Sequence, residues 1–166
     1  RTTLYSSKGR MSRAVLAFYA SQNPLDWKFT DRAVISDNVF FNTDKPNLHH
    51  IFPTNYLANQ PGKNRLDHNS LMNIAYLTQI TNLDISDRAP LEYVKDYDEN
   101  PNFEGVLGSH LLPKQILDWA RMEQMPTDAL DQFIETRIDM VLDALKKQLD
   151  GITIEVIDTK EEVELT

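Results

Sequence analysis

Two adjacent histidines, His49 and His50, stand in the stretch Asn-Leu-His-His-Ile-Phe-Pro at 47–53. His68 follows in a polar segment, and Asn73 and Asn82 come next, nine residues apart. Side chains of these types match the needs of phosphodiester hydrolysis: a deprotonated water, relief of charge on the phosphate, and help for the departing oxygen. A neutral imidazole, with an ordinary pKa of about 6.5, can take the proton. A divalent cation can meet the other two needs at once. The carboxamide oxygen of Asn82 can bind such an ion without titrating, and if Asn82 opens a helix, the helix N-terminus favours a nearby phosphate. Asn73, in a turn, can bond backbone groups and fix the loop that carries the histidines. On a regular strand His49 and His50 point to opposite faces. A kink at the strand end lets both flank one phosphate, one as base and the other as ligand, and the spacing alone leaves open which is which.

Each residue also has a plainer reading. Asn73 and Asn82, taken singly, suit a turn and a helix cap. His68 suits a solvated loop. His110, between Leu107 and Leu111-Leu112, suits a partly buried ring bonded to a backbone carbonyl. Arg88, Lys63 and Arg65 are candidate phosphate contacts for which a solvated surface role is the alternative. The ordered combination is what favours chemistry.

The elements that must position these residues follow from local pattern. Leu48 to Ile51 predicts a short strand ended by Pro53, and Thr54 to Gln60 one or two helical turns before Pro61-Gly62. Ile74 to Thr78 predicts a second strand, and a helix begins at Thr81 or Asn82, is interrupted by Pro90 and restarts at Leu91. Upstream, Ser12 to Ser21 predicts a helix capped by Ser12 and stopped by Asn23-Pro24. Trp27 to Thr43 reads as loop with Val39 to Phe41 as a short strand. Downstream, Phe103 to His110 and Lys114 to Glu123 predict short helices. Thr127 caps a long helix along Leu130, Ile134, Ile138, Val141, Leu145 and Leu149, ended by Gly151, with an edge strand at 152–156 and an acidic tail at 158–166. The fold class is α+β, mostly helical, with a small strand–strand–helix unit inside a helical domain.

With 166 residues, the chain suits one domain. It has no cysteine, so a metal must sit on nitrogen and oxygen ligands, and the composition fits a reducing cytosol. A cytoplasmic location is expected, with no membrane span. The chain opens on Arg1 rather than Met, and a piece of something longer is expected. The net charge of −8 argues against tight nonspecific nucleic-acid binding. That charge is uneven: residues 1–50 carry seven Lys/Arg against four Asp/Glu, whereas residues 101–166 carry six against fourteen. A local phosphate site near the histidines is compatible with this distribution.

The order His-His-Ile-Phe-Pro, then Asn73 before a short apolar strand, then Asn82 at a helix start, resembles the HNH or His-Me finger (ββα-metal) nucleases in their His-Asn-Asn variant. More narrowly, Asn82, Ile85-Ser86, Pro90 and Tyr93, followed by His110-Leu-Leu-Pro113 and a long final helix, resemble the DUF1524 family over roughly Val34 to Leu149. The resemblance implies a ββα-metal motif embedded in a helical domain. It makes His50 the general base, His49 and Asn82 the metal ligands, and Asn73 the structural asparagine; Arg88 is the expected substrate contact. His49 stands where many such nucleases have an acidic ligand. An imidazole there weakens a hard ion such as Mg²⁺ and makes Mn²⁺ or another transition metal more plausible.

The function so implied is that of a metal-dependent DNA endonuclease domain, nicking one strand, in a modification-dependent restriction or phage-defence protein. Its partners would be DNA, an N-terminal DUF262-like domain of the same longer chain, and a second copy in a homodimer. The competing expectation is a catalytically inactive nucleic-acid-binding or assembly module that keeps the nuclease fold.

Overall fold

The computed structural model describes residues 3–35, 45–59 and 64–149. The expected strand at Val39 to Phe41, the Pro61-Gly62 break, Lys63, the Gly151 stop, the strand at 152–156 and the acidic tail lie outside the described residues.

Within them the fold is α+β and mostly helical, around one two-stranded antiparallel sheet. Strand β1, Pro46–His50, pairs with β2, Ile74–Thr78, so that His49 faces Ala75 and His50 faces Ile74. Of the five residues of β2 only Tyr76 is not fully buried, which is why this strand reads as an apolar run rather than an alternation. Between the strands lie helix α2, Thr54–Ala58, and a single 3₁₀ turn, Leu71–Asn73.

Helix α3, Gln79–Ile85, follows β2 without a loop and packs on both strands. It begins at Gln79, ahead of the expected Thr81 or Asn82. Threonine is a favoured N-cap, and the Thr78 hydroxyl accepts from the Thr81 N–H at 3.3 Å. Asp26 locks that end: its buried carboxylate accepts from the hydroxyls of Thr78 at 2.7 Å and Thr81 at 2.9 Å. Asn82 is therefore the fourth residue of the helix rather than its first. Pro90 does not interrupt α3 either, because the chain has already left it at Ser86, whose φ is +53°. Helix α4, Pro90–Asp98, starts anew with the proline in its first turn, where the missing N–H is no loss.

The remaining helices are α1, Arg10–Ser21, α5, Phe103–Ser109, α6, Gln115–Met122, and α7, Ala129–Gln148. Ser12 does not cap α1 but sits inside it, buried, with its Oγ accepting the Ser6 N–H at 2.9 Å. Trp27 is the hub of the core. It is fully buried and meets the rings of Tyr93, Tyr97, Phe103 and His110 at 5.2–6.2 Å. Helix α7 buries Leu130, Ile134 and Val141, as its spacing predicts, together with Ala129, Asp131, Phe133 and Arg137, which lie outside that stripe. No described helix is long and apolar enough to cross a membrane.

Candidate functional site

The paired histidines leave β1 in opposite directions. Both remain in the strand ladder, so alternation applies and no kink brings the two rings to one side. His49 is 5% exposed and points to the face covered by α3 and α4. Its Nδ1 lies 2.9 Å from Asn82 Oδ1, and its ring stands edge-on to Tyr93 at 6.1 Å. Because an amide oxygen only accepts, Nδ1 carries the proton in this arrangement. Nε2 is then a buried acceptor with no partner. Burial is the main reason that the His49 pKa falls to about 4, against the smaller opposing effect of the Asn82 bond.

His50, the last residue of β1, is half-buried on the other face. Its Nε2 lies 3.3 Å from Asn69 Oδ1, and its ring centroid is 6.2 Å from that of His68. Burial lowers its pKa below the ordinary value, the Asn69 bond opposes this, and His68 adds to it.

Asn73 holds the turn that follows β1. Its Oδ1 accepts from Phe52 N–H at 2.8 Å, while its Nδ2 donates to Phe52 O at 3.0 Å and His68 O at 2.7 Å. The side chain is fully buried and all its partners are backbone, so its geometry is that of a brace for the segment after His50. Tyr93 adds a second brace by donating its hydroxyl to Ile51 O. Arg88 is engaged elsewhere, with Asp96 Oδ2 at 2.5 Å on the surface. Arg65 is tied to Asp131 and Glu135. His110 is a buried ring whose Nε2 lies 2.6 Å from Leu25 O, an interior bond to a carbonyl.

The structure thus joins His49 to Asn82 and leaves His50 in a separate group with Asn69 and His68. The role of Asn69 was missed in the sequence, where it reads only as a polar residue before a strand. A register argument could have found it, since His50 pairs with Ile74 and the chain entering β2 must pass beside it.

Whether these residues fit a divalent ion can be tested on His49 and Asn82. Their 2.9 Å separation is that of an N–H···O hydrogen bond, so an ion would have to displace the proton from Nδ1. Ligation through Nδ1 moves the ring proton to Nε2, which has no acceptor, and neither ligand is charged. Among the described residues no group of three or more His, Asp or Glu side chains is placed to hold a metal. The pair would thus offer a divalent ion one nitrogen and one oxygen, both neutral.

An apolar cleft of about 400 Å³ opens beside Phe52, lined by Tyr56, Leu57, Leu91, Met125 and Leu130 among others. It contains one carboxylate, Glu92, and no imidazole, so it lacks the groups that phosphodiester hydrolysis needs. Compared with protein-family models, with curated proteins and with solved structures, the chain matches none.

Proposed function

We propose that the chain is a metal-dependent DNA endonuclease domain of the ββα-metal type that nicks one strand, part of a modification-dependent restriction or phage-defence protein. The observation that carries this reading is the contact of His49 Nδ1 with Asn82 Oδ1, which ties a strand to the helix following its partner strand across 33 residues. It supports the expected metal pair, in an element order of strand, short helix, 3₁₀ turn, strand and helix. The resemblance read from the sequence supplies the reaction.

In this reading His50 removes the proton from the attacking water. It stands at the last position of β1, half-buried, on the face opposite His49. Its neutral state suits the task, because a base must be unprotonated at working pH, and burial favours the neutral ring. Asn73 holds the Phe52 backbone and the His68 carbonyl, and so fixes the segment that follows the base and ties it to the loop at His68. His49 and Asn82 offer one nitrogen and one oxygen to a divalent ion, which when bound supplies Lewis acidity to the phosphate and the leaving oxygen. Target choice belongs to the DUF262-like domain proposed to precede this one, and cutting both strands would take two copies or two events.

The test is nicking of supercoiled plasmid with Mg²⁺ or Mn²⁺ by the purified chain. His50→Ala should lower the rate by about 10²–10⁴-fold while leaving the circular dichroism spectrum and melting temperature near wild type. Nicking by His50→Ala at the wild-type rate removes His50 as the base. No nicking by the wild type with any of several divalent ions favours the inactive module, a reading also supported by the lack, among the described residues, of a group of three or more His, Asp or Glu side chains placed to hold a metal.

A further inference from the structure

The contact between His50 and Asn69 determines more than the position of a ring. His50 Nε2 lies 3.3 Å from Asn69 Oδ1, so a neutral His50 that makes this bond carries its proton on Nε2. That holds only if the Asn69 amide cannot turn over. Its Nδ2 donates to Tyr5 O at 3.2 Å, and the flipped amide would set two oxygens against each other there. Tyr5 is itself fixed by the backbone: Tyr5 N–H donates to Asn69 O at 2.8 Å, Leu71 N–H donates to Thr3 O at 3.0 Å, and Leu4 bridges Ser70. The Asn69 N–H is held in turn by Asp67 Oδ1 at 2.8 Å. A short N-terminal segment, 3–5, is thus docked antiparallel on 69–71 and sets which end of one carboxamide meets the imidazole.

We propose that Asn69 is a positioning residue for His50, locked by the 3–5 segment, which keeps the ring proton on Nε2 and leaves Nδ1 as the atom that accepts a proton from water. This rests on the reading of His50 as the general base. In the step concerned, a water O–H bond breaks and the proton passes to Nδ1. The freed electron pair forms the new P–O bond, and the leaving oxygen departs with the pair of the old one. A ring with its proton on Nδ1 cannot begin that step from the same place. His68, whose ring centroid lies 6.2 Å from that of His50, turns its Nδ1 toward Asp67 Oδ1 at 3.6 Å and does not set the tautomer.

The experiment is ¹H–¹⁵N correlation spectroscopy of the histidine rings in the full chain, at a pH where His50 is neutral. In the wild type, His50 Nε2 should show the shift of a protonated ring nitrogen and Nδ1 that of an unprotonated one; the reverse assignment overturns the proposal. Asn69→Leu keeps the backbone bonds to Tyr5 and Asp67 but removes the acceptor, and should shift the His50 nitrogens toward a mixture of tautomers. Unchanged shifts in that variant overturn the proposal as well. If Asn69→Leu does not fold, Asn69→Ala decides, because it too removes the acceptor and should shift the His50 nitrogens toward a mixture of tautomers. Unchanged shifts there are again contrary.

Plasmid nicking separates this from the parent reading. Asn69→Leu should lower kcat by about tenfold or more with KM unchanged. An inactive wild-type chain with the expected ring shifts sinks the nuclease reading alone. An active chain with the opposite tautomer sinks only the role of Asn69.

Discussion

Asn73 and Phe52 meet as side chain against backbone, with Oδ1 taking the Phe52 N–H at 2.8 Å and Nδ2 giving to the Phe52 carbonyl at 3.0 Å. The carboxamide thereby stands in for a neighbouring strand at the point where β1 ends and the chain must still keep its backbone groups satisfied in a dry interior. Replacing it strands buried donors and acceptors on the partner side. Asn73→Ala should destabilise the fold by about 2–4 kcal/mol in urea or guanidinium unfolding. Asn73→Asp should do nearly as much harm, because it cannot donate to Phe52 O or His68 O. A loss below about 0.5 kcal/mol for both would show that water replaces the amide.

Arg137 is buried, with no carboxylate partner among the described residues. Its guanidinium donates to the carbonyls of Met72, Ile74, His110 and Leu111 at 2.7–3.1 Å, and lies 4.5 Å over the ring of Tyr19. These bonds fasten helix α7 to the turn before β2 and to the loop after α5. A planar fork can reach four carbonyls in this arrangement and a single ammonium cannot. Arg137→Lys, conservative in charge, should therefore cost about 2–4 kcal/mol of stability. Equal denaturation midpoints for the two proteins would contradict this account.

His110 makes the fold sensitive to acid. Burial holds its pKa down at about 4 against an ordinary value of 6.5; the bond to Leu25 O opposes this, Arg137 reinforces it and Asp26 opposes it. Between those two values the ring is neutral in the fold and charged in the unfolded chain, so the unfolded chain binds more protons. Stability from this group is thus full above about pH 6.5 and falls as the pH drops toward 4, by about 3 kcal/mol at most. His110→Gln keeps an N–H donor and removes the titration. It should flatten the stability profile across that window, and a slope identical to wild type would rule His110 out as the source.

The His49–Asn82 pair should bind divalent ions poorly in the absence of nucleic acid, since both ligands are neutral. Calorimetric titration of Mn²⁺ should give a dissociation constant above about 0.1 mM, with Asn82→Ala weaker still. Asn82→Asp, which adds a charged oxygen in the same place, should bind more tightly. Equal affinities for wild type and Asn82→Ala would place any bound ion elsewhere.

Much of the local structure was legible. Ile74 to Thr78 is a strand over the expected residues, and the long helix buries Leu130, Ile134 and Val141 as its spacing indicated. His110 is bonded to a backbone carbonyl, the interior role its apolar neighbours suggested. The start of α3 was misjudged because the threonine that caps it is also the last residue of β2, so one side chain serves two elements. Ser12 looked like a cap because its type favours that position, but contact with the Ser6 backbone drew it into the interior.

The sequence by itself determined most of the described strands and helices, though not every boundary, and which side chains are chemically able to act, because both depend on residue type and on neighbours a few positions away. Only the tertiary structure decided that His49 meets Asn82 across 33 residues, that His50 meets Asn69 across 19, and that Arg137 spans 65 to reach Met72. Those pairings depend on how the sheet, α3 and α7 pack together, and no local pattern records it. For the same reason the two histidines, neighbours in the chain, are separated in space: strand alternation sends one into the core and the other to the opposite face.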